Sequence, residues 1–169
     1  MQGLVIKVRA DQRAEACIAV AAACADVYTG LSGRFPDEGL WRELAGAARD
    51  RAVWLQTARG GMEDDLVDYL ENESMPFINV ALERARALKK RLQDNDLTLE
   101  DALTMSLELE KSAVEGYFWD VMTVETQLDA IGRLKQLIEK GQANGRKILG
   151  FMTERGIAHK GFRPEIPSA

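Results

Sequence analysis

Arg51, Glu110 and Asn144 are the residues whose types and spacing could do chemistry inside this protein. Each interrupts an otherwise apolar stripe: Leu44, Ala48, Arg51, Leu55 in the first; Leu103, Leu107, Glu110, Val114 in the second; Leu137, Gly141, Asn144, Ile148 in the third. Steps of three and four residues place each set on one face of a helix. A carboxylate on such a face is costly unless it is paired. The economical arrangement is a buried Arg51–Glu110 ion pair, with Asn144 satisfying the hydrogen bonds left over. The alternative is that Arg51 snorkels to solvent from an edge and leaves no network.

The remaining reactive groups carry less. Cys17 and Cys24 stand seven apart on one expected helix, a rise of roughly 10 Å that no disulfide bridges, so reduced core thiols are expected. His159 is the single histidine and lies beyond the last helical pattern, where a solvated side chain is expected. Gly141 and Gly145, four apart, fit either close helix packing or a ligand-sized gap.

Four long helices are needed to position the polar residues. The first is expected from about Asp11 to Thr29, with Ala14, Cys17, Ala21, Cys24 and Tyr28 inward and Gly30 and Gly33 stopping it. The second is expected from Pro36-Asp37-Glu38 to Gly60-Gly61. An acidic stretch, Met62 to Asn72, suggests a short helix, and Ser74-Met75-Pro76 starts another over Phe77 to Leu92 that carries Arg84, Arg86, Lys89, Lys90 and Arg91. These opposite charges could stay solvated, pair within the connection, or pair across a two-fold axis. Thr98-Leu99-Glu100-Asp101 resembles a capping box with Asp in the usual Glu position and opens the third long helix, which runs to about Val121. The fourth is expected from about Glu125 to Arg155, and Gly156 to Ala169 should be an irregular tail.

Composition bounds the function classes. The chain has 169 residues, 46% hydrophobic and 29% charged, which suits one folded all-α domain over residues 1–155. A net charge of −5 argues against general nucleic-acid binding. The apolar run Ala16 to Ala25 is too short to span a bilayer, and no secretory signal is read, so a cytoplasmic protein without membrane contact is expected.

The stripes resemble the ferritin-like superfamily, in particular its rubrerythrin-type di-iron proteins, over about residues 11 to 155. The resemblance implies a four-helix bundle with short extra helices in the crossover between its second and third long helices. It also implies a Glu seven residues before a Tyr on the first and third, and Glu-x-x-His on the second and fourth. Glu110 and Tyr117 keep the first pattern, whereas Ala21 and Tyr28 keep only the tyrosine. Ala48 and Arg51 replace one Glu-x-x-His, and Gly141 and Asn144 replace the other. One expected ligand survives, so neither iron nor another cofactor is expected, with Glu110 the weak metal candidate. The Arg51 guanidinium would supply a cation where the family has metal.

The expected function is that of a non-catalytic, metal-free module for binding or structure, acting as a homodimer. The alternatives are a metal-binding oxidoreductase using Glu110 with Glu108 or Glu139, and a small-ligand carrier with a central cavity at Ala21, Ala48 and Gly141. Trp41, Trp54 or Trp119 could instead fill that space.

Overall fold

The computed structural model describes the backbone of residues 2–61, 75–122 and 129–162 and the side chains of residues 15–57, 76, 78–115, 136 and 138–162. The described residues are helical apart from turns and short irregular stretches such as 157–162, with no strand among them. The helices are α1 (Gln2–Arg34), α2 (Gly39–Gly61), α3 (Met75–Gln93), α4 (Leu99–Met122) and α5 (Asp129–Glu154).

Each helix turns one stripe inward. Cys17, Ala21, Cys24, Tyr28 and Leu31 do so on α1, and Trp41, Leu44, Ala48 and Arg51 on α2. Leu103, Leu107, Glu110 and Val114 follow on α4, and Ile138, Asn144, Ile148 and Met152 on α5. α1 lies along α2 and α3, α3 along α4, and α4 along α5, with narrower α2–α5 and α1–α4 seams. Trp41 is fully buried, with its ring centroid 6.3 Å from that of Tyr28, so the two largest core side chains lock α1 to α2.

α1 is longer than its glycines predict. It continues through Gly30 and Gly33 to Arg34. A Cβ at Gly30 would strike the Leu92 side chain, so this glycine admits α3 rather than ending the helix. The helix stops where the Phe35 N–H bonds Leu31 O at 2.8 Å and Pro36 follows. α2 correspondingly begins at Gly39, because Glu38 closes a turn onto Phe35 O at 3.1 Å. The Ala16–Ala25 run lies inside a longer apolar stretch of α1. Glu15–Arg34, 20 residues of mean hydropathy 1.4, is long and apolar enough by length and composition to cross a membrane, although much of its surface faces the core here.

The connection after α2 is not made of short helices alone. α3 has 19 residues, and its Ile78, Ala81, Ala85 and Leu88 stripe enters the core. Its basic residues find acids on other helices. Lys89 meets Asp26 at 3.2 Å, Arg84 meets Glu108 at 3.3 Å and Arg91 meets Asp101 at 2.9 Å. The acidic segment at 62–72 lies outside the described residues, as do the expected start of the last helix at Glu125 and the tail from 163 onward.

The capping box at the start of α4 is formed, with the Asp101 N–H donating to Thr98 Oγ1 at 3.1 Å. At the end of α5, Gly156 adopts φ 66° and the Ile157 N–H returns to Met152 O at 2.9 Å. The chain then folds back along α5, placing the Phe162 ring over Gly145.

Candidate functional site

The inward stripes of α1, α2 and α4 converge on Glu110, whose side chain is fully buried. Its Oε1 accepts a hydrogen bond from the Tyr28 hydroxyl at 2.8 Å. Its Oε2 faces Arg51 Nη2 at 3.4 Å, the outer edge of hydrogen-bond range, in a pair whose members are 2% and 0% exposed. At that separation the attraction is mainly coulombic and is screened little in a dry interior. Arg51 therefore does not snorkel. Both carboxylate oxygens are engaged, each by a helix other than their own.

The surroundings keep the neighbouring acids protonated. Burial, then the Glu110 charge, pushes the Cys24 thiol from 9.0 up to about 12, against a smaller opposing effect of Arg51. Burial, then the Glu110 charge, then Cys24 and the hydrogen bond to Glu110, hold the Tyr28 phenol well above 10 against a smaller opposing effect of Arg51, so it remains a donor to Glu110. Cys24 belongs to this electrostatic unit, which its place in an alanine-rich run does not announce. Cys17 and Cys24 are both buried and neither is in a disulfide.

The other positions read from the stripes divide. Ala21 and Ala48 are fully buried and carry no donor atom. Gly141 is filled from outside, since a Cβ there would lie 2.7 Å from Val114 Cγ2 and 3.9 Å from Glu110 Oε2. Packing by Val114 and by Phe162 thus explains both Gly141 and Gly145. Trp41 fills space beside Tyr28, and Trp54 stands half-buried at the outer side of α2. The side chains of Tyr117 and Trp119 lie outside the described residues.

Asn144 is 5% exposed, yet no hydrogen bond joins it to Arg51 or Glu110, and its Nδ2 is buried without a partner among the described residues. This corrects the expectation that it completes the ion pair. Trp41 Nε1 and Ser106 Oγ share that condition. Glu108 is turned to Arg84 and Glu139 is exposed, so neither joins Glu110. Among the described residues no three His, Cys, Asp or Glu side chains come together as metal ligands do. The donor set does not fit a di-iron centre: three of its positions have no ligating atom and a guanidinium stands at the fourth. His159 is exposed, with Nε2 3.0 Å from Thr153 Oγ1 and Nδ1 accepting from the Gly161 N–H at 3.2 Å.

Beside the polar layer, a groove of about 430 Å³ runs along the α2–α5 seam. On α2 it is lined by Ala47, Asp50, Arg51 and Trp54, at steps of three, four and seven from the first. On α5 Gln136, Lys140, Ala143, Asn144 and Lys147 repeat that helical spacing. Sequence reading missed most of these residues because they flank the apolar stripes and read as solvated surface. Their matched periodicity on two helices is the signal that could have found them.

Comparison of the chain with family models, with curated proteins and with solved structures gives no match.

Proposed function

We propose that this chain is a metal-free binding module on a ferritin-like four-helix bundle, with α1, α2, α4 and α5 as the bundle and α3 as the core of its crossover. The observation that carries the reading is the engagement of both Glu110 oxygens, by Tyr28 at 2.8 Å and by Arg51 at 3.4 Å. A carboxylate held between a hydroxyl and a guanidinium has part of its acceptor capacity taken, and a divalent cation would meet the Arg51 charge at close range. The alanines and glycine at positions 21, 48 and 141 add no ligand. What the polar layer supplies is a fixed register between helices.

The reading is tested by loading the full chain anaerobically with ferrous iron, desalting, and measuring iron per chain, with Glu110→Ala as control. Retention near zero in both proteins is expected. Near-stoichiometric iron that disappears in Glu110→Ala would overturn the reading and restore a redox centre.

A further inference from the structure

We propose that residues 156–162 form a pH-sensitive strap, in which a neutral His159 holds the chain against α5 and protonation of its ring releases Phe162 from Gly145. The inference goes beyond the metal-free reading and does not depend on it.

The strap is fixed on both sides of the ring. Gly156, at φ 66°, turns the chain back, and the Ile157 N–H closes the turn on Met152 O at 2.9 Å. Arg155 braces the turn from outside, lying 3.4 Å from the centre of the Phe151 ring and 2.6 Å from Glu38 of α2. Gly161, at φ 82°, makes a second left-handed turn and delivers Phe162 to Gly145. A Cβ at Gly145 would overlap the Phe162 ring, so this glycine is the seat of the strap. Between the two turns the His159 ring bridges α5 to the strap, with Nε2 3.0 Å from Thr153 Oγ1 and Nδ1 3.2 Å from the Gly161 nitrogen.

Those partners fix where the hydrogens are. The Gly161 N–H donates, so Nδ1 accepts and carries no proton. Thr153 Oγ1 donates its own hydrogen to Leu149 O at 2.9 Å, so it accepts from Nε2–H. Only the neutral ring with its hydrogen on Nε2 satisfies both. A second proton enters at Nδ1, where it points at the Gly161 N–H, and histidine rings take up that proton between about pH 8 and about pH 5. The strap is therefore held while the ring is neutral and is lost as pH falls through the ring's titration. Half-buried Ile157 precedes the ring and keeps its own anchor, so release is confined to the residues beyond it.

Among the described residues no carboxylate pairs with the ring to compensate its charge. Glu38 of α2 is taken by Arg155 and Asp101 of α4 by Arg91, while Glu154 of α5 and Glu100 of α4 make no ion pair. Of the cations, Arg146 of α5 turns to Gln142 at 3.3 Å, Lys111 of α4 faces Glu115 at 3.9 Å, and Lys160 stands beside the ring in the strap itself.

His159 is the single histidine, so its ring is read without ambiguity in an NMR titration of the full chain. The Gly145 amide, which the Phe162 ring covers, reports the strap, with Phe162→Ala as the open reference. As pH falls from about 8 to about 5, the Gly145 shift should move toward that reference with the midpoint of the ring, and the open-to-closed ratio should rise about tenfold. In His159→Leu, a change at an exposed position, the Gly145 shift should be the same at both ends of the titration. A Gly145 shift that stays fixed while the ring titrates, or that moves equally in His159→Leu, overturns the proposal. A shift that coincides with loss of the far-ultraviolet helix signal also overturns it, because acid would then act on the fold and not on the strap.

Discussion

Tyr28 donates its hydroxyl hydrogen bond to Glu110 Oε1 across 2.8 Å, with both residues fully buried, and so ties α1 to α4 where the two helices otherwise touch only narrowly. Tyr28→Phe keeps the ring that stacks on Trp41 and deletes only the donor. It leaves one Glu110 oxygen buried without a partner and should destabilise the fold by about 1–3 kcal/mol. Urea denaturation measures the change, and a loss near zero would mean that another group reaches Oε1.

The Cys24 thiol should be inert in the folded protein. Its pKa, pushed up to about 12, leaves almost no thiolate at neutral pH, and it is fully buried. A thiol reagent at pH 8 should therefore label neither Cys17 nor Cys24 until denaturant is added. The sign of the linkage follows from the raised folded value. The stabilisation is complete below the ordinary value of 9.0 and is lost as pH climbs from there through about 12, and Tyr28 adds to the loss in the same direction. Cys24→Ala should flatten the decline in thermal midpoint above pH 9, and an unchanged slope would contradict the assignment.

Gly141→Ala should overpack the core by about 1–3 kcal/mol, since its Cβ would sit 2.7 Å from Val114 Cγ2. Val114→Ala in the same chain should recover most of that loss, giving a coupling that two independent sites would not show. Additive effects in denaturation would place the crowding elsewhere.

Thr98→Ala should cost about 1 kcal/mol by removing the α4 cap. It should also raise the Asp101 pKa, which hydrogen bonds from Thr98, then Arg91, hold below the ordinary 3.8. Because the folded value is depressed, this contribution is present above about pH 3.8 and disappears as pH falls through the lower folded value. An NMR titration of the Asp101 carboxyl in both proteins checks the shift, and identical curves would contradict it.

The inward stripes, the capping box and the meeting of Arg51 with Glu110 were legible in the sequence because each depends on spacing within a helix and on the cost of an unpaired buried charge. Other features depend on what a neighbouring helix brings. Gly30 reads as a terminator until Leu92 is seen pressed against it, and α3 reads as a connector until its alanine-rich stripe is seen facing the core. Asn144 was legible as an inward polar residue but not as one whose Nδ2 makes no hydrogen bond to the ion pair. The groove residues were hidden because solvated flanks and groove-lining flanks have the same composition, and only the apposition of α2 with α5 separates them.

The central claim is that Glu110 belongs to a structural pair with Arg51 rather than to a ligand set. A double-mutant cycle with Arg51→Met and Glu110→Gln, read by equilibrium urea denaturation, isolates that pair from whatever else each side chain touches. The expected result is a favourable coupling of about 1.5 kcal/mol or more, with Arg51→Met alone costing about 3 kcal/mol because it strands a buried carboxylate. A coupling below about 0.5 kcal/mol would contradict the claim and show that the two charges are satisfied independently.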